Sequence, residues 1–266
     1  MTHKILVAAL GGTIGSIRTD SIALDENNLK ILDYCKRDDV CFEGVSPFSI
    51  LSENMTAEHI ESLFDFLKTV DFDAYKGVIL LHGSDTLAYT ACLVGNAFYG
   101  KNIVLTASDK PVEDKTSNAI QNFNEAVSQI INGTKGVFVS YDGIMDARCI
   151  TSAGIDDRFL ALQSTIDPVK SDVIYNKNIL TVNFHTGMRF ENYCLDGVDA
   201  VLMQMYHSAT LPETAKAFAE KLKSKNISYY FVTHRSSADY ETAQGVDNIL
   251  FNCTMENAFA KMLLTK

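Results

Sequence analysis

The sequence predicts an α/β protein with a mostly parallel sheet, and three observations carry that reading. Apolar runs of strand length alternate with segments of helical periodicity along most of the 266 residues. The runs are nearly continuous in hydrophobicity instead of alternating, as strands covered on both faces require. Hydrophobic residues make up 47% of the chain, enough to fill one big domain or a large and a small one.

In chain order, strands are expected at 4–10 (KILVAAL), 77–82 (GVILLH), 102–107 (NIVLTA), 136–141 (GVFVSY), 199–205 (DAVLMQM), 227–233 (ISYYFVT) and 248–251 (NILF). Helices are expected at 56–69, 86–99, 113–132, 212–224 and 254–265. Pro212 suits a first helical turn because its φ is already fixed, and Glu213 follows where the helix dipole favours a carboxylate. Between 164 and 179 the pattern weakens around Pro168 and several charges, which reads as a linker. Residues 1–172 are therefore assigned to a larger N-terminal domain, and 173–266 to the linker and a smaller α/β domain.

A formal net charge of -10, with no basic cluster, offers nothing to offset phosphate repulsion, so nucleic acid is excluded as a partner. A small-molecule partner is expected instead. The six cysteines are scattered without a C-x-x-C pair and read as buried free thiols of a reducing compartment. The opening "MTHKILVAALGG" has an apolar run shorter than a signal peptide's and flows into a core strand. No run approaches about 18 apolar residues, so no membrane span is expected and the protein is placed in the cytoplasm.

In an open α/β sheet, ligands bind beyond the carboxyl ends of the strands. The residues just after each strand therefore matter most: Gly11, Gly12 and Thr13 after the first, and "HGSDT" (His82 to Thr86) after the second. "SDKP" (Ser108 to Pro111) follows the third, and Asp142 with Gly143 the fourth. Hydroxyls, carboxylates and glycines gather there, and the histidines show no metal-ligand spacing, so neither metal nor cofactor is expected.

Two chemistries compete for "GGTIGS". A dinucleotide site needs G-x-G-x-x-G and a second strand ending in an acid about 20 residues on, and a phosphate loop needs G-K-[ST]. Neither is present. A hydroxyl nucleophile needs a rigid turn, backbone N–H groups for a developing oxyanion and a nearby proton acceptor. Gly11-Gly12-Thr13 supplies the first two, and Ser84 with Asp85 supplies a second hydroxyl and a carboxylate. The bland alternative makes Ser84 or Asp85 a helix cap.

"LGGTIGS" and "LLHGSDTLAYTA" resemble the two signature segments of bacterial-type L-asparaginases, T-G-G-T-I and H-G-T-D-T-x-x-x-T-A. "PFSILSENMTAEH" resembles that family's substrate-carboxylate loop, and "KGVFVSYDGIMDARCITSAG" its following strand-and-turn segment. Brevity and "SENM" lean towards the cytosolic type I branch. The resemblance implies a flavodoxin-like N-terminal domain, a smaller parallel-sheet domain, a homodimer or homotetramer, and no cofactor. It also implies hydrolysis of the asparagine side-chain amide to aspartate and ammonia. By resemblance Thr13 is the nucleophile, Ser84 the second catalytic hydroxyl, and Asp85 its partner and a contact for the substrate's α-amino group. Ser52 and Glu53 match the substrate-binding positions, with Gly12 and Gly83 in the same set.

The departures cluster at the site. Ser152 stands where the family has a catalytic lysine, and no tyrosine occurs between Thr13 and Tyr34 to serve the mobile loop. "SDKP" replaces A-M-R-P. Three explanations stand: an asparaginase in which Lys110 or Lys115 supplies the cation, an amidohydrolase for another amide, or a non-catalytic relative that binds an amino acid.

Overall fold

A computed structural model of the chain describes residues 2–162 and 167–266. The first strand, β1 (His3–Ala9), sends Leu6 and Ala8 into one hydrophobic cluster and Ile5, Val7 and Ala9 into another. Successive strand residues point to opposite faces, so a strand apolar throughout has to be covered on both. A hairpin of β2 (Ser16–Arg18) and β3 (Ile22–Leu24), then one helical turn, α1 (Ile31–Tyr34), lead to β4 (Val40–Val45). The chain continues through α2 (Ala57–Thr69), β5 (Gly77–Leu81), α3 (Ser84–Ala97), β6 (Ile103–Thr106) and α4 (Ala119–Asn132). Strand β7 (Val137–Ser140) and an antiparallel β8 (Ile144–Asp146) complete the sheet.

The strand order is β4-β1-β5-β6-β7-β8, parallel as far as β7. On the face fed by Leu6 and Ala8, α2 and α3 deliver Leu63, Phe64, Leu87 and Ala91. On the other face, α1 and α4 deliver Ile31, Phe123 and Val127. Each such Leu, Ile, Val or Phe side chain contributes roughly 1.5–3 kcal/mol by leaving water, which fixes which face each helix takes. The chain leaves β1 towards β4 on one side and leaves β5 towards β6 on the other. The crevice at the carboxyl ends of β1 and β5 is therefore the topological switch point of the sheet, where open α/β sheets bind ligands.

A second sheet follows, built from β9 (Ile179–Asn183), β10 (Ala200–Gln204), β11 (Ser228–Val232) and β12 (Ile249–Leu250). It is parallel throughout, in the order β12-β11-β10-β9. Helix α5 (Glu213–Ser224) covers one face through Phe218 and Leu222, against Val201, Met203 and Phe231. The last helix, α6 (Met255–Leu264), covers the other face with Met255 and Ala258 and gives Ala260 and Leu264 to the first sheet's cluster. Asn96 in α3 donates to Asn257 in α6 at 2.7 Å in a fully buried position.

The seven expected strands are present, the first shifted by one residue and the others trimmed by one or two. Strands β2, β3, β4, β8 and β9 were not expected. The edge strand β4 reads VCFEGV, with Cys41, Glu43 and Gly44 exposed, so it lacks the continuous apolar run of a central strand. It ends in Val45 and not in the acid that the second strand of a dinucleotide site requires. Its acid does not serve a ribose, because Glu43 is paired with Lys4 at 2.7 Å on the exposed sheet surface. The helix expected at 113–132 starts only at Ala119. Asp114 accepts from the Thr116 N–H and hydroxyl, and Asp109 and Asn118 bond each other reciprocally, so side chains take the backbone partners a helix would need. Residues 164–166 of the expected linker lie outside the described residues. Beyond them the Val169 N–H donates to Asn96 Oδ1, and the Tyr175 N–H to the Leu263 carbonyl. Among the described residues no helix is long and apolar enough to cross a membrane.

Candidate active site

The turn after β1 is clamped on two sides before it reaches Thr13. The Leu10 N–H donates to the Leu81 carbonyl (2.9 Å), the Ile50 N–H to the Leu10 carbonyl (3.1 Å), and the Gly12 N–H to the Ile50 carbonyl (2.9 Å). The Ser16 hydroxyl donates to the Gly12 carbonyl at 2.8 Å and closes the turn from the other end. Gly12 has φ 74 and ψ -178, a conformation open in practice only to glycine. A Cβ there would lie 2.3 Å from the N and Cα of Gly83, and a Cβ on Gly83 would lie 2.4 Å from Ser52 Oγ. Three loops thus meet: the turn carrying Thr13 touches the start of α3, carrying Ser84 and Asp85, backbone to backbone, and the 3-10 turn Ser52–Asn54, carrying Glu53, meets Gly83 through the Ser52 side chain.

Gly83 is the N-cap of α3 and has no side chain to cap it, so the first N–H groups of the helix stay open at the positive end of its dipole. Ser84 is half-buried and Asp85 exposed within that first turn. Neither caps the helix with a side-chain hydrogen bond to it. The bland alternative for these residues is not what the structure shows.

His82 holds the approach to this turn. Its side chain is buried, with Nδ1 2.8 Å from the Gly83 carbonyl and Nε2 3.0 Å from the Thr90 hydroxyl. A carbonyl only accepts, so Nδ1 carries the proton and Nε2 of the neutral ring accepts from Thr90. Burial pushes the His82 pKa down to about 4, against a small opposing pull from the Gly83 carbonyl. The unfolded chain protonates this ring near 6.5. Below that pH the unfolded state binds the extra proton, so folded-state stability falls as pH drops from 6.5 towards 4. The loss reaches about 3 kcal/mol at the acid end. In a His82→Gln variant, denaturant titrations between these two pH values are expected to show that part of the slope removed.

The hydrogen bonding around the junction divides into two classes. Ser16, His82, Thr86, Thr90, Thr106 and Ser108 are each committed to a named partner. The Thr86 hydroxyl, for example, donates to the Ser52 carbonyl at 3.0 Å. By contrast, the side-chain oxygens of Thr13, Ser52, Ser84 and Asp85 have no hydrogen-bond partner among the described residues. Ser52 is nearly buried and Thr13 half-buried. None of these oxygens is among the fully buried unpaired atoms of the described residues, so each is open to solvent and to a ligand. Three hydroxyls and a carboxylate left open around one backbone junction form a surface suited to a polar ligand. Glu53 is exposed at its edge.

Lys110 and Lys115, the two lysines named as replacements for the family lysine, sit in the turn between β6 and α4. The Lys110 ammonium donates to the Thr116 hydroxyl at 2.7 Å, within its own turn, and Lys115 is exposed. Among the described residues neither makes a hydrogen bond or ion pair with Thr13, Ser84 or Asp85. The Ser152 N–H donates to a carboxylate oxygen of the buried Glu256 at 2.7 Å, which fixes that backbone against α6. Sequence reasoning missed Thr86, Thr90 and Glu256. The signal for the first two was their i, i+4 spacing on one face of α3, whereas Glu256 is distant in sequence from everything it holds.

A family model described as "Asparaginase, N-terminal" matches residues 4–165, the segment that carries all three loops of this junction. An L-asparaginase of Thermococcus kodakarensis is 32% identical over 152 residues, covering 53% of this chain and 45% of that protein. One component of a glutamyl-tRNA(Gln) amidotransferase from Aeropyrum pernix is 30% identical over 133 residues, covering 47% of this chain and 31% of that protein. The chain thus spans about half or less of the length of these curated relatives. The crystal structure of L-asparaginase I from Vibrio cholerae superposes with a TM-score of 0.80 at 19% identity, covering 99% of this chain and 92% of that one. At that identity the likeness is one of fold.

Proposed function

The chain belongs to the asparaginase family, and on that premise we propose that it hydrolyses the side-chain amide of L-asparagine, or of a related amide, with Thr13 as nucleophile. The observation that supports this reading is the set of open side-chain oxygens, Thr13, Ser52, Ser84 and Asp85, around the Gly12–Gly83 contact. The Thr13 hydroxyl adds to the amide carbon, and its proton passes towards Ser84 and Asp85. The C–N bond then breaks, the nitrogen takes up that proton and leaves as ammonia, and Thr13 is left esterified. Water attacks the ester, releasing the acid and restoring the hydroxyl. Open N–H groups at the start of α3 favour the negative charge that develops on the carbonyl oxygen. Ser52 and Glu53 hold the substrate's α-carboxylate and α-amino group, Asp85 adds a second contact to the ammonium, and Gly12 and Gly83 let the backbone approach. The same reading keeps the division into domains at 172/173, a homodimer or homotetramer without cofactor, and a cytoplasmic setting as proposals.

A specific observation favours a second reading, a slow enzyme or one tuned to a different amide. Ser152 stands where the resemblance puts the lysine, and a hydroxyl there cannot supply the missing cation. Positioned acid–base help is worth about 10²–10⁴ in rate. Ser152→Lys is therefore expected to raise kcat by about 10²-fold, at the lower end of that range. Ammonia release from asparagine, glutamine and a panel of larger amides tests both readings. No release from any amide, together with a thermal shift in aspartate, would leave a binding protein instead.

A further inference from the structure

On the far side of α3 from its own sheet contacts lies a cavity of about 260 Å³, walled by α2, α3, α6 and residues 174–177. Its volume is slightly below the usual small-molecule range, so it suits one small molecule and not a helix or strand. The floor is apolar, formed by Ile60, Leu93, Ile174, Phe259 and Leu263. Phe259 stands edge-on to Tyr89 at 5.4 Å, which fixes an aromatic wall. The lining also holds the polar Thr56, Tyr175 and Asn176 and two opposite charges, Glu61 and Lys177, which no salt bridge joins. The Lys177 ammonium donates to the Thr265 carbonyl at 2.7 Å, leaving two N–H groups for a ligand.

We propose that this cavity binds a free amino acid with an apolar side chain. The side chain fills the apolar floor, its carboxylate meets Lys177, and its ammonium meets Glu61. The two threonines that α3 brings to the lining, Thr86 and Thr90, offer an amide no free hydroxyl, which argues against asparagine as the occupant. The Thr86 hydroxyl is donated to the Ser52 carbonyl, and the Thr90 hydroxyl is paired with His82. An amide seated against Ile60, Leu93, Phe259 and Leu263 would lose water and find no partner among them, at a cost that a leucine or phenylalanine side chain does not meet. Thr86 and Thr90 also tie the cavity to the candidate active site, because the same hydroxyls hold the Ser52 loop and the His82–Gly83 turn.

Calorimetric titration of the full chain with L-leucine and L-phenylalanine tests this without reference to turnover, so it stands or falls apart from the amide reading. Saturable binding with a Kd of about 1 mM or tighter is expected. It should persist in Thr13→Ala and weaken by about two- to fivefold in Lys177→Met, the range of an exposed ion pair. Ala57 is exposed at the start of α2 and lines the cavity, so Ala57→Trp fills it from the solvent side and should abolish the heat. Binding that survives Ala57→Trp unchanged overturns the proposal. So does the absence of saturation with either amino acid. If Ala57→Trp instead breaks an oligomer, and neither amino acid binds, a neighbouring protomer covers the cavity and the proposal is wrong.

Discussion

Thr13→Ala is expected to lower kcat for ammonia release by on the order of 10⁴-fold or more, with the fold intact. The two halves of that expectation have separate causes. Activity falls because the hydroxyl is the atom that joins the substrate, and the other hydroxyl of the turn, Ser16, is donated to the Gly12 carbonyl. Stability changes by less than about 1 kcal/mol, because the Thr13 hydroxyl has no hydrogen-bond partner among the described residues and is only half-buried. The turn itself is held by Ser16, by the Ile50 carbonyl and by the Gly12–Gly83 contact, none of which Thr13 supplies. Thr13→Ser keeps the nucleophile and loses only a methyl group, so it should retain turnover within about 10²-fold of the parent. Aspartate should still raise the melting temperature of Thr13→Ala, since Ser52, Glu53 and Asp85 remain. Near-full turnover in Thr13→Ala would remove Thr13 from the mechanism and leave Ser84 as the hydroxyl to examine.

What the sequence could and could not disclose follows from where each interaction is written. Strands β1, β5, β6 and β7 of the first sheet were legible because burial on both faces forces an unbroken apolar run. Strand β4 was not, because an edge strand carries Glu43 paired to Lys4 in solvent and a glycine exposed to it. The start of α4 was misplaced because Asp109, Asp114, Thr116 and Asn118 satisfy one another through side-chain turns, which helical periodicity does not register. The residues of the candidate site were legible as types, glycines and hydroxyls after strands. Their convergence was not. That Gly12 touches Gly83 and Gly83 touches Ser52 depends on β1 and β5 being neighbours in register, with Ala9 opposite Leu81, and on Ile50 bonding across to the first turn. The Ser152–Glu256 contact lies further out of reach, since it needs α6 to return from the second sheet to the first.

Gly12→Ala is expected to remove activity and to destabilise the fold by about 3 kcal/mol or more. Two penalties add at this position. The backbone sits at φ 74 and ψ -178, a region that costs an L residue of order 1–3 kcal/mol. The new methyl would also lie 2.3 Å from backbone atoms of Gly83, which cannot swing aside like the end of a flexible side chain. Gly83 is held in turn by the end of β5, where the His82 N–H donates to the Thr106 carbonyl at 2.8 Å, and by Ser52 against its other side. Relief must therefore come from moving the Thr13 turn off the start of α3. A displacement near 1 Å at a reacting group costs about 10²-fold in rate, and here both partners of the proposed proton transfer separate. For a chain of this size the stability loss corresponds to a fall in melting temperature of roughly 6–12 °C. Gly100→Ala separates the two penalties, because Gly100 also has positive φ, 85, but nothing lies within 4 Å of the added Cβ. That variant should lose about 1 kcal/mol and keep full turnover. If Gly12→Ala behaves like Gly100→Ala in both melting and ammonia release, the two loops are not in backbone contact, and the site as drawn does not exist.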